Sequence, residues 1–91
     1  MIVVWLGSAE EQLLSIIDYT SEDSPAAAVA LGQTIRAKAG TLATHPNRYR
    51  AGRIKGTREL VVKPNYIVVY RVVGDRVQIL RVRHARKRDA S

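Results

Sequence analysis

The stretch "NYIVVYRVVGDRVQILRVRH", residues 65–84, decides the fold. Its β-branched and aromatic side chains fall into two runs, NYIVVYRVV and RVQILRVRH, and such residues suit a pleated, half-buried surface. Only Gly74 and Asp75 separate them, a connection short enough to turn one strand straight back on the other. A third run, TRELVV at 57–62, precedes them, set off by Lys63 and Pro64. Three strands in succession with short connections predict an antiparallel meander.

Upstream the periodicity becomes helical. Ser24 followed by Pro25 is a helix start, because proline at the first helical position gives up only a donor that has no partner there. Ala28, Leu31, Ile35, Ala39 and Leu42 continue one stripe until HPNR closes the segment at Pro46. Further back, Ser8 stands three positions before Glu11, the spacing of a capping box, and predicts a helix start there. Leu13, Ile16, Ile17 and Thr20 share a face of that helix, which should end within TSEDS. So few residues between the two helices predict an antiparallel hairpin.

At the amino end, Ile2 to Leu6 is a short apolar strand stopped by Gly7. The opening MIVVWLGSAEEQ has no basic residue before its apolar run and meets acidic residues at once, unlike a signal peptide or a membrane span. The predicted order is β-α-α-β-β-β, an α+β fold with a helical hairpin packed on a mainly antiparallel sheet. The pattern does not fix where the first strand joins. At 91 residues the chain fits a single domain, 1–91, with one modest core.

The charge balance is lopsided. Fifteen Lys and Arg against eight Asp and Glu give a formal net charge of +7, which favours acidic partners, whether nucleic acid or an acidic protein. There is no cysteine, so disulfides and thiolate metal sites are excluded, and a reducing cytosol is permitted. His45 and His84 are too few for a metal cluster. No phosphate-binding glycine loop and no nucleophile motif occurs, so the expectation is no metal and no cofactor.

Alternation along the last strand puts Val77, Ile79, Arg81 and Arg83 on one face and Gln78, Leu80, Val82 and His84 on the other. Arg53, Lys55 and Arg58 lie just before or at the start of the meander, and Arg71 lies in its middle strand. Together they predict a basic concave surface for a target or an acidic peptide, extended by Arg86 and Lys87. The closing RKRD by itself reads as a solvated end. Metal-free RNA cleavage needs a base, an acid and cations for the phosphorane, and Glu59, His84 and the arginines can be fitted to those roles. The fit is not specific, since a lone histidine at a strand end is more often structural. Tyr66 and Tyr70 read as sheet packing, and Trp5 as core or interface.

Three segments, "WLGSAEEQLLSIIDYTSEDSPAAA", "HPNRYRAGRIKGTRELVV" and "NYIVVYRVVGDRVQILRVRHARK", together resemble the RelE/ParE superfamily of bacterial type II toxins, over about Val4 to Arg88. The resemblance implies a cytoplasmic toxin made beside an antitoxin whose acidic segment wraps and blocks it, in a toxin-antitoxin hetero-oligomer that serves plasmid or chromosome maintenance and growth arrest. RelE-like members cut mRNA on the ribosome, whereas ParE-like members poison DNA gyrase. Nuclease members usually carry an arginine in a strand written YRLVY and often end in a catalytic tyrosine or histidine. Here the strand reads YIVVY, with Ile67 in the arginine's place, and no tyrosine follows Tyr70. These departures favour the ParE-like branch, with Arg53, Lys55, Arg58, Arg71, Arg81, Arg83, Arg86 and Lys87 as contact residues. A RelE-like nuclease would instead draw its site from Arg58, Glu59, Arg81, Arg83 and His84. An inactive relic that binds only its antitoxin is the third reading.

Overall fold

The computed structural model describes residues 1–62 and 65–86. Its elements are β1 (Ile2–Trp5), α1 (Gly7–Asp23), α2 (Pro25–Gly40), a 3₁₀ turn (Thr41–Ala43), β2 (Arg50–Ala51), β3 (Arg58–Val62), β4 (Tyr66–Val73) and β5 (Arg76–His84). The predicted α+β fold is present, with the helical hairpin on one face of a five-stranded sheet ordered β1-β5-β4-β3-β2.

The first strand, whose place the pattern left open, lies at the sheet edge parallel to β5, with Ile2 opposite Arg76 and Trp5 opposite Ile79. All other pairings are antiparallel. The short β2 was not anticipated, because two residues cannot carry a readable alternation; it places Arg50 opposite Glu59.

The second helix starts as expected, with the Ser24 hydroxyl accepting from the Ala27 N–H at 3.1 Å and Pro25 in the first turn. The first does not. Its cap is Leu6, in extended conformation and without a side-chain bond, so the capping box of Ser8 and Glu11 does not form. The physical reason is the sheet: the Leu6 N–H donates to the Ile79 carbonyl at 3.0 Å, which aims the chain into the helix as it leaves β1. Ser8 thus falls inside the first turn and donates to the Leu80 carbonyl at 3.2 Å. The hairpin then closes tightly at Gly32, where a Cβ would come within 2.8 Å of Ile17 Cδ1.

Leu13, Ile35 and Ala39 from the helices meet Leu60, Val68, Tyr70 and Ile79 from the sheet in one buried core. Each large apolar side chain removed from water there contributes about 1.5–3 kcal/mol. The Tyr70 hydroxyl donates to the Pro46 carbonyl at 2.7 Å, and burial raises its pKa above the ordinary phenol value. At the sheet's flank Arg36 lies over the Trp5 ring, 5.3 Å from its centroid, and pairs with Glu10; that hydrogen bond lowers the Glu10 carboxyl pKa.

A bulge corrects the reading of the last strand. Val69 pairs with Arg81 but Tyr70 pairs with Ile79, leaving Leu80 as an extra residue. The two faces therefore exchange at Leu80. Val77, Ile79, Val82 and His84 share the helix-covered face, while Gln78, Arg81 and Arg83 share the open one. Strict alternation would have driven Arg81 and Arg83 into the core beneath α1; the bulge buries Val82 there instead. Past the end of β1, Gln12 of α1 accepts from the Val82 N–H at 2.9 Å and so covers part of the exposed strand edge.

Candidate functional site

The sheet face away from the helices carries the charged cluster. Glu59, in the middle of β3, is 7% exposed. Its Oε1 accepts from Arg50 Nε at 3.1 Å and lies 3.0 Å from Arg50 Nη2, and its Oε2 accepts from Arg83 Nη2 at 3.3 Å. The register explains this. Arg50 stands directly opposite Glu59 across β2 and β3, Val69 stands opposite on β4, and the bulge turns Arg81 and Arg83 of β5 toward the same side. Arg83 is as buried as the carboxylate it meets, whereas Arg50 is 58% exposed. Breaking a buried pair by removing one partner costs on the order of 3–5 kcal/mol, because a charge is left without compensation.

The loop between β2 and β3 supplies the wall of this site. Its fold is set by the Gly52 N–H donating to the Thr57 carbonyl at 2.8 Å and the Thr57 hydroxyl donating to the Ile54 carbonyl at 2.6 Å. Gly52 is required by close approach, since a Cβ there would stand 2.2 Å from Thr57 Oγ1; Gly56 supplies a positive φ of 86°. The loop thereby brings Arg53 and Ile54 over the sheet. With Thr57, Glu59, Val69, Arg81 and Arg83 they line an open cavity of about 200 Å³.

Of the residues expected at a basic surface, Arg53, Arg81 and Arg83 come together here, with Glu59 among them. The others do not join them. Lys55 is exposed on the loop, and Arg58 shares the Tyr70 face and donates to the Tyr49 and Asn47 carbonyls at 2.8 and 3.3 Å. Arg71 lies farther along β4 and donates to Gln78 Oε1 at 2.8 Å. Arg86 is exposed in the turn after β5, and Lys87 lies outside the described residues. Arg50 was missed because its place depends on the unread strand β2.

His84 leaves β5 on the opposite face from Arg81 and Arg83. Its ring meets Tyr66 edge-on, with centroids 5.3 Å apart, and its Nδ1 accepts from the Arg86 N–H at 3.1 Å. It borders a second, wider cavity beside α1, lined also by Tyr19, Tyr66 and Arg83. Tyr66 and Tyr70 both serve packing, and Trp5 packs at the core margin. Among the described residues, no three His, Asp or Glu side chains gather as metal ligands.

The open face can therefore hold an anion or an acidic chain. It is poorly arranged for acid–base work, because both Glu59 oxygens are engaged by guanidinium groups and the imidazole is turned away.

A family model described as "ParE toxin of type II toxin-antitoxin system, parDE" matches residues 3–89. The chain belongs to the ParE toxin family. Among other members of the RelE/ParE superfamily, it is 40% identical over 83 residues to Toxin RelE2 of Caulobacter vibrioides, covering 91% of this chain and 93% of that protein. It is 42% identical over 82 residues to Y4kP of Sinorhizobium fredii, covering 89% of this chain and 84% of that one. Its fold matches a chain of the chromosomal ParDE toxin-antitoxin system from P. aeruginosa with a TM-score of 0.83 and 26% identity, over 92% of this chain and 95% of that one. This ParE-family chain is thus the toxin of a type II pair, and its class implies a cognate antitoxin as partner. Among the described residues, no helix is long and apolar enough to cross a membrane.

Proposed function

We propose that this ParE-family chain, acting as one domain in the bacterial cytoplasm, arrests growth as a binding toxin that docks on DNA gyrase and traps its cleaved DNA complex. The observation that carries the reading is the state of Glu59. Its two oxygens accept from Arg50 and Arg83, so it serves as a counter-ion and not as a proton acceptor. Two further features agree with this. His84 stands on the other face, and Ile67, which replaces the arginine of nuclease members, is buried opposite Arg83.

The docking surface is the basic open face together with the end of β5, from Arg81 through Arg86, and the tail that follows, with Arg53, Lys55, Arg58 and Arg71 near its margins. An acidic antitoxin segment competes for the same face, and the formal charge of +7 supports that complementarity. A complex of toxin and antitoxin is the resting form.

Purified protein added to gyrase, ATP and supercoiled plasmid tests the proposal. Linear DNA released by detergent and protease is the expected product, and Arg53→Glu with Arg81→Glu should reduce it at least tenfold. Unchanged plasmid at every toxin concentration would overturn the reading. The printed name of the Caulobacter relative, Toxin RelE2, favours a second reading, a ribosome-dependent mRNA endonuclease. On that reading Arg83→Ala combined with His84→Ala abolishes mRNA cutting; cutting that survives both changes excludes the site.

A further inference from the structure

All fifteen Lys and Arg lie at position 36 or beyond, and five of the eight Asp and Glu lie before it, every one of them in α1. The fold turns this division along the chain into a division across the molecule. α1 covers one side of the sheet, whereas the loop carrying Arg53 and Lys55 stands over the other, where Arg71 and Arg76 also project. Glu11, Asp18 and Glu22, spaced as i, i+7 and i+11, form one line down the outer surface of α1, turned away from the buried Ala9 and Leu13. Leu14 and Tyr19, each more than half exposed, flank that line.

These carboxylates do not serve the helix that carries them. Among the described residues only Glu10 has an ion-pair partner, Arg36, and Glu11, Asp18, Glu22 and Asp23 have none. Asp18 and Glu22 are like charges one turn apart, which repel. Glu22 and Asp23 stand in the last turn, where the negative end of the helix dipole disfavours them and no base is present. Local physics alone would not place them there, but a positively charged partner would be matched by them. The same molecule carries such a surface. Ile54, also more than half exposed, sits at the tip of the loop held by Gly52 and Thr57, between Arg53 and Lys55, neither of which has an ion pair among the described residues.

We infer that the free toxin associates head to tail, with the acidic outer face of α1 in one copy seated on the basic open face of a second, and Ile54 of the second packed beside Leu14 and Tyr19 of the first. The contact is heterologous, so each copy keeps one unused surface and further copies can add. At about 0.1 M salt the screening length is ~10 Å. That is shorter than the molecule's smallest dimension of 22 Å, so the facing surfaces attract while the net charge of +7 on each copy is largely screened. A basic face engaged in this way is withheld from any other acidic partner. The contact shares with the gyrase reading only the use of the open face, and it is tested on the toxin alone, so either can fail without the other.

Two variants separate the surfaces. Glu11→Gln with Asp18→Asn and Glu22→Gln discharges α1 and leaves the basic face intact; Arg53→Gln with Ile54→Ser and Lys55→Gln strips the loop and leaves α1 intact. In sedimentation equilibrium of the purified toxin, up to about 1 mM protein, the mean mass of the wild type should rise with concentration at ~0.1 M salt and return to that of the monomer at ~1 M salt. Each variant alone should stay monomeric. An equimolar mixture of the two should form a one-to-one dimer and nothing larger, because each supplies one intact surface. A wild type that is monomeric throughout, association by either variant alone, or a mixture that stays monomeric would each overturn the inference. The variant with the discharged helix should unfold at a urea midpoint no lower than that of the wild type, since the repulsion and the dipole penalty are gone, so its loss of association is not a loss of fold. A lower midpoint would mean that the carboxylates serve the helix itself, and would overturn the inference as well.

Discussion

At Tyr70 a phenol is fully buried and its hydroxyl donates to the Pro46 carbonyl 2.7 Å away. Tyr70→Phe leaves that carbonyl without its donor and should cost about 1–3 kcal/mol, seen as a lower urea midpoint. Burial raises the phenol pKa in the folded state above the value of about 10 that it has when unfolded. Its contribution to stability is therefore complete below that unfolded value and is lost as pH rises through the folded one. The wild type should lose urea resistance more steeply than Tyr70→Phe above pH ~10; parallel pH profiles would contradict the burial account. The Glu59–Arg83 pair makes a second demand at this scale. Arg83→Met alone, or Glu59→Gln alone, removes one partner of a buried pair and should destabilise by about 3–5 kcal/mol, whereas both together should cost clearly less than the sum. Strict additivity in a double-mutant cycle would mean that the two groups do not interact. Little of this was legible in the sequence, where Glu59 stood only as a residue that could be fitted to acid–base work; its partners come from β2 and β5, which only the register supplies.

Among the elements, the strands and helices with strong local signals were the readable ones. The cap at Ser24 and the return at Gly74 and Asp75 are local chemistry, and both stand where the sequence predicts them. Ser8 and Glu11 carry an equally good local signal that fails, because a backbone bond from Leu6 to β5 fixes the helix start first. The bulge at Leu80 was hidden by an alternation that continues unbroken in the letters. The clue was chemical: Ile79 and Arg81 on one face would set an aliphatic core residue beside a guanidinium, while Ile79 and Val82 sharing a face needs one residue looped out. The same bulge leaves the β5 edge beyond Trp5 to be covered by α1. Gln12→Ala should therefore raise the exchange rate of the Val82 amide by tenfold or more with little change at Val68, deep in the core. Equal protection at Val82 in both proteins would show that the Gln12 cap contributes nothing to holding that edge.

For the molecule as a whole, one sheet has a face covered by two helices and a face left to charge. That architecture was legible because the two periodicities, helical before residue 46 and strand-like after 57, are long and distinct. The family was legible too, since the resemblance spans nearly the whole chain and the family match covers residues 3–89. The target was not, because a shared fold hosts different functions and the decision rests on a few side chains whose grouping depends on a bulge and a two-residue strand. On the proposed reading, with Glu59 held by two arginines and His84 on the other face, the open surface serves binding. The most direct test is pulse-labelling of DNA and protein synthesis in bacteria during the first minutes after this chain is induced without its antitoxin. DNA synthesis should fall first, with protein synthesis continuing; protein synthesis stopping first would contradict the account and make the ribosome the target.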